Sequence, residues 1–128
     1  MIVADSDVLI DFLRGRDPAA SRIAVELRQG GLKTTVISRF ELLAGARGER
    51  GEQATRDLLG AIPALPLTTE AADLAASLYR DLARSGAGVP MADCLIAGIV
   101  QSAGDILLTR NRRHFERFPG LKLGTLAP

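Results

Sequence analysis

Short apolar runs rich in β-branched residues alternate with longer stretches of helical periodicity throughout this chain, and that order admits few folds. Ile2 to Ala4 reads as a first strand, and Val8, Leu9, Phe12 and Leu13 mark a helix beginning near Ser6 or Asp7. After Pro18, the residues Ala20, Ile23, Ala24 and Leu27 recur at helical spacing until Gly30-Gly31, and Leu32 to Ile37 predicts a second strand. Ser38-Arg39-Phe40-Glu41 then opens a helix with the S-x-x-E spacing of a capping box, whose run ends near Gly45 to Gly51. Ala54, Leu58, Leu59 and Ile62 carry the helical pattern to Pro63, and Ala64 to Leu67 predicts a third strand, near a sheet edge because of Pro66. Ala71, Leu74, Ala75, Leu78 and Leu82 form an apolar stripe from a Thr68 or Thr69 cap to Gly86. A last long helix over Ala92, Leu95, Ile96, Ile99 and Val100 is closed by Gly104. Ile106 to Leu108 and Leu121 to Leu126 predict the fourth and fifth strands. Strands separated by helices imply an α/β fold with an open, mostly parallel sheet, flanked by helices on both faces.

A length of 128 residues suits a single domain spanning 1–128. Its 47% hydrophobic and 24% charged residues exclude disorder as the native state. The core has to be aliphatic: there is no Trp, and four Phe and one Tyr leave no extended aromatic platform for single-stranded bases. Sixteen Lys plus Arg against fifteen Asp plus Glu give a net charge of +1, so any contact with nucleic acid has to be local. Cys94 and His114 are the only cysteine and histidine, too few for a zinc site or a His–Cys nucleophilic pair. Lys33 and Lys122 lie outside phosphate-loop spacing, and Gly86-Ala87-Gly88 follows a helical pattern where a dinucleotide fingerprint would follow a strand. The apolar run Leu95 to Val100 is too short to span a membrane, and Asp5, Asp7 and Asp11 interrupt any leader-like stretch, so a cytoplasmic protein is expected.

Carboxylates remain, and ligands of open α/β sheets bind at the carboxyl ends of the strands. Asp5 ends the first strand, Glu41 opens the helix after the second, Asp93 lies in the first turn after Pro90, and Asn111 follows the fourth strand. Acids gathered there repel unless a cation lies among them. Mg²⁺ accepts one or two carboxylates with water and phosphate oxygens, and it activates water for attack on a phosphodiester. Each position also has a structural reading: Asp5 and Asp7 as helix caps, Glu41 as the capping-box partner of Ser38, and Asp93 as a favourable charge at a helix start. Asp11, Asp17, Glu26, Glu52, Asp57, Glu70, Asp73, Asp81 and Glu116 read as solvated helix faces or termini. Arg110, Arg112 and Arg113 concentrate positive charge beside Asn111, as phosphate contacts or as a solvated loop, and His114 reads as a packing or hydrogen-bonding residue.

Four segments in order, Val3-Ala4-Asp5-Ser6-Asp7-Val8-Leu9-Ile10-Asp11, Ile37-Ser38-Arg39-Phe40-Glu41-Leu42-Leu43-Ala44-Gly45, Met91-Ala92-Asp93-Cys94-Leu95-Ile96-Ala97 and Leu108-Thr109-Arg110-Asn111, together with His114-Phe115 and Pro119-Gly120-Leu121, resemble the PIN-domain VapC toxins over nearly the whole chain. The resemblance implies an endoribonuclease dependent on Mg²⁺ or Mn²⁺, usually a homodimer, inhibited by a VapB-like antitoxin. It places Asp5, Glu41 and Asp93 at the family's acidic positions, with Asp5 and Asp93 as direct metal ligands, and Thr109 and Ser6 at polar positions lining the site. Asn111 stands where many members carry Asp, and its amide contributes no negative charge. Two other readings remain open. Asp5-Ser6-Asp7 has the D-x-D form of haloacid-dehalogenase-like phosphatases, although Lys33 and Lys122 lie in the wrong regions for that chemistry. A PIN-like RNA- or protein-binding module without catalysis is the other.

Overall fold

The computed structural model describes residues 1–86 and 88–127, so Ala87 of the discarded glycine motif lies outside the described residues. Strands β1 (Ile2–Ala4), β2 (Leu32–Thr35), β3 (Ala64–Leu65), β4 (Ile106–Leu108) and β5 (Lys122–Leu123) form a sheet in the order β3-β2-β1-β4-β5. Every pairing is parallel, and Ile2 lies beside Leu32 on one side and Ile106 on the other. Parallel neighbours require crossovers, and these are supplied by α1 (Ser6–Leu13), α2 (Ala19–Gln29), α3 (Val36–Gly45), α4 (Gly48–Ala61), α5 (Thr69–Arg84), α6 (Met91–Ala103) and the short α7 (Arg112–Phe115).

The period-2 alternation of the two central strands sorts the core into two layers. Ala4 and Leu108 face Val8, Leu9, Ile23, Leu42, Leu58 and Leu59 of α1 to α4. Val3 and Leu107 face the other way, onto Leu78 of α5, Ile96, Ala97 and Val100 of α6, and Phe115 and Phe118. Those two rings stand 5.9 Å apart, Phe12 packs against the first layer, and the rest is aliphatic apart from the buried Cys94 thiol. The α5–α6 packing depends on small residues: Gly98 is buried, and a Cβ there would stand 2.6 Å from the Ala71 carbonyl and 2.9 Å from the Ala75 Cβ. No helix among the described residues is long and apolar enough to cross a membrane.

Several boundaries differ from expectation for local reasons. β2 stops at Thr35 because the Thr35 hydroxyl accepts from the Ser38 amide at 3.1 Å, which starts α3 at Val36. The capping pair is therefore Thr35 with Ser38, and the capping-box reading of Glu41 is corrected: Glu41 lies inside the helix. β3 ends before Pro66, which has no amide for a ladder. β5 is two residues long, because the carbonyls of Gly124 and Thr125 accept from the Arg112 and Arg22 guanidinium groups at 2.6 and 2.5 Å. The four residues of α7, expected as loop, are too few to carry a readable period.

Candidate active site

All five strands aim their carboxyl ends at one rim, and the chain leaves β1 toward β2 on one side while β4 closes on the other. Such a switch point opens a crevice, and the acids lie there. Asp5 follows β1 directly and is 7% exposed. It is also the N-cap of α1: Oδ1 accepts from the Ser6 amide at 2.8 Å and from the Ser38 hydroxyl at 3.4 Å, while Oδ2 accepts from the Thr109 hydroxyl at 2.8 Å. The capping reading of Asp5 is therefore borne out, and its carboxylate stands at the strand-end rim while it caps. Burial first, and then the charge of Asp7, push its carboxyl up to about 6 against these hydrogen bonds.

Asp7 and Asp11 are one helical turn apart on α1. Asp7 takes the Arg110 amide with both carboxylate oxygens, at 3.3 and 3.1 Å, and stands 3.4 Å from the Thr109 hydroxyl. Burial raises its carboxyl, and the Arg110 amide and guanidinium oppose the rise. Asp11 is 5% exposed, which corrects its reading as a solvated helix face: Oδ2 lies 3.2 Å from the Arg110 Nε.

Glu41 reaches the rim from α3, where Ser6 donates to it at 3.3 Å. Lost hydration raises its carboxyl, the Ser6 bond opposes that, and the negative charges of Asp93 and Asp7 raise it further. Asp93, in the first turn of α6, and Asn111 both adjoin His114: the imidazole Nδ1 is 3.1 Å from Asp93 Oδ2 and 2.8 Å from Asn111 Nδ2, and it serves one of them at a time, donating to the carboxylate as Nδ1–H or accepting from the amide as bare nitrogen. The Asn111 backbone N–H donates to the Thr109 hydroxyl at 3.0 Å. The four positions expected from sequence thus share one rim. Sequence reasoning missed Ser38 and the place of His114 beside Asp93 and Asn111, and gave Thr109 only a lining place. Of the three arginines expected to meet phosphate, Arg110 is engaged by Asp11 and Arg112 by the Gly124 carbonyl and, at 3.7 Å, Glu116. Arg113 is exposed on α7 and has no hydrogen bond or ion pair among the described residues.

The donor chemistry fits a hard divalent cation. Asp5, Asp7, Glu41 and Asp93 offer oxygens, burial first and mutual repulsion second raise Asp5 and Glu41, and a cation relieves both. No three His, Cys, Asp or Glu side chains converge at ligand range among the described residues. Mg²⁺ needs only one or two carboxylates and keeps water in its other positions.

The family model described as "PIN domain" matches residues 2–121. A Mycobacterium tuberculosis protein named ribonuclease VapC19 is 35% identical over 124 residues, covering 95% of this chain and 98% of that one. The tRNA(fMet)-specific endonuclease VapC of Shigella flexneri is 32% identical over 124 residues, 92% of each chain. A solved toxin–antitoxin complex from Klebsiella pneumoniae contains a chain that superposes with a TM-score of 0.79 at 25% identity, covering 98% of both chains.

Proposed function

The chain belongs to the PIN-domain family and to its VapC group, and from that premise we propose that it is a metal-dependent endoribonuclease, the toxin of a toxin–antitoxin pair. The observation that carries the reading is the buried Asp5 carboxylate at the β1 end, braced by Thr109 from the β4 end and raised to about 6. Asp5 and Asp93 would hold Mg²⁺, or Mn²⁺ in its place. When bound, the cation polarises the phosphodiester and activates a water for in-line attack. Glu41, beside Ser6 and under the negative charge of Asp93 and Asp7, orients water and receives its proton. His114, donating from Nδ1–H, holds the Asp93 carboxylate, and Arg113 contacts a flanking phosphate. The Klebsiella complex and the named relatives support a VapB-like antitoxin as partner and RNA as substrate. Exposed Phe40, Leu43 and Met91 support a homodimer.

The test is cleavage of RNA by the purified chain in Mg²⁺ and in EDTA, beside Asp5→Asn and Asp93→Asn. Cleavage that needs the metal and is abolished in both folded variants is the expected result. Metal-independent cleavage, or activity within a few-fold of wild type in either variant, overturns the mechanism. Metal-free and metal-loaded chains that bind RNA without cutting it would favour the binding-module reading.

A further inference from the structure

Asp11 is not accounted for by the proposed chemistry. Its carboxylate is nearly closed off from water, yet among the described residues only Oδ2 has a partner and the buried Oδ1 has no hydrogen bond. Burying a charge this way is costly, and an ion pair with a half-exposed arginine is a weak reason, from stability alone, to keep it. Asp11 does sit one turn beyond Asp7, on the strip of α1 that faces the turn after β4. Together the two acids hold Arg110 at both ends, Asp7 by the backbone amide and Asp11 by the guanidinium. On either side of Arg110 stand Thr109, which donates to Asp5, and Asn111, which packs at 2.8 Å against the His114 imidazole beside Asp93.

We propose that Asp11 is a positioning residue: by clamping the Arg110 side chain it fixes the Thr109–Asn111 turn, and through that turn the orientation of Asp5 and Asp93. Arg110 is then part of the frame of the site and not a phosphate ligand. This rests on the nuclease reading for its consequence in catalysis, but the clamp itself is a property of the folded chain.

Asp11→Asn keeps the shape of the side chain and removes its charge. Arg110→Gln cuts the other end of the clamp at an exposed position, so a folded variant is available even if the first is unstable. Each should lower kcat by roughly ten- to a hundredfold, as expected for reacting groups displaced by a fraction of an ångström, with KM within about twofold. The double variant should be no worse than the poorer single one, because both changes break one contact. A raised KM with unchanged kcat in Arg110→Gln makes Arg110 a phosphate ligand and overturns the proposal, as do losses that multiply in the double variant. The second readout needs no activity. In EDTA, hydrogen exchange of the Arg110 and Asn111 amides should quicken in both variants, and unchanged exchange overturns the clamp. If the wild type cuts no RNA, the nuclease reading fails while the exchange experiment still decides this one.

Discussion

At the scale of single residues, Asp5 sets the strongest expectation. Its folded-state carboxyl, at about 6, binds a proton more tightly than the ordinary value of 3.8 in the unfolded chain. Its contribution to stability is therefore fully present below about pH 4 and is lost as pH rises through 6, a change of about 3 kcal/mol as an order of magnitude. Without metal, the wild type should lose stability between pH 4 and 7, and Asp5→Asn, which can still cap α1, should flatten that slope. Denaturant titrations in EDTA across this range check it; a slope unchanged by the substitution would place the burden on other groups. Glu41 is raised in the same direction, and with the capping role gone to Thr35, Glu41→Gln should be neutral or stabilising in EDTA. Thermal melts of that variant in EDTA and in a magnesium series measure both its intrinsic effect and its share of the metal-induced gain. Asp5, Asp93 and Asn111 were legible in the sequence because each follows a strand or opens a helix, where an α/β sheet gathers its ligands, whereas Glu41 was picked out by a capping-box spacing that it does not serve and reaches the rim from inside α3. Asp11 was not, because a carboxylate between Ile10 and Phe12 reads as the polar edge of an amphipathic helix. Its ion-pair partner comes from the far end of the chain, and the sequence hint was the Asp7/Asp11 spacing on one helix face.

At the scale of elements, the α5–α6 contact is the tightest constraint on where Asp93 stands. Gly98→Ala would push a methyl against the Ala71 carbonyl, backbone that cannot yield locally, and should cost about 1–3 kcal/mol. A smaller loss in denaturant melts would mean that α6 slides along α5, and cleavage should then fall further than stability, since Asp93 rides on the same helix. Thr35→Ala removes the cap of α3 and should cost about 0.5–2 kcal/mol. The central strands and the long helices were readable because their apolar periods persist over whole elements. The ends of β2 and β5 were not, since a cap and two arginine side chains, rather than any change in hydrophobic pattern, decide where the ladder stops.

At the scale of the whole molecule, a net charge of +1 gives no general attraction for a polyanion, so RNA affinity should depend on a few side chains. Arg113→Gln should lower the salt slope of RNA binding by about 0.7, one counterion on a single strand, while Arg112→Gln should mainly loosen the Gly124 segment. Equal slopes in wild type and Arg113→Gln, measured by titration at several salt concentrations, would remove Arg113 from the interface. Sedimentation at micromolar concentration should give a dimer, and a strictly monomeric profile would separate the exposed Phe40, Leu43 and Met91 from self-association. The strand order has a consequence in time. β1 is made before the neighbour that supplies Thr109 and Asn111, with the whole β2–α6 excursion between them. As a ribosome extends the chain, Asp5 and Glu41 emerge early and wait without their braces until β4 inserts beside β1. A rim assembled in this order stays open until β4 inserts, and its completion coincides with the closing of the sheet.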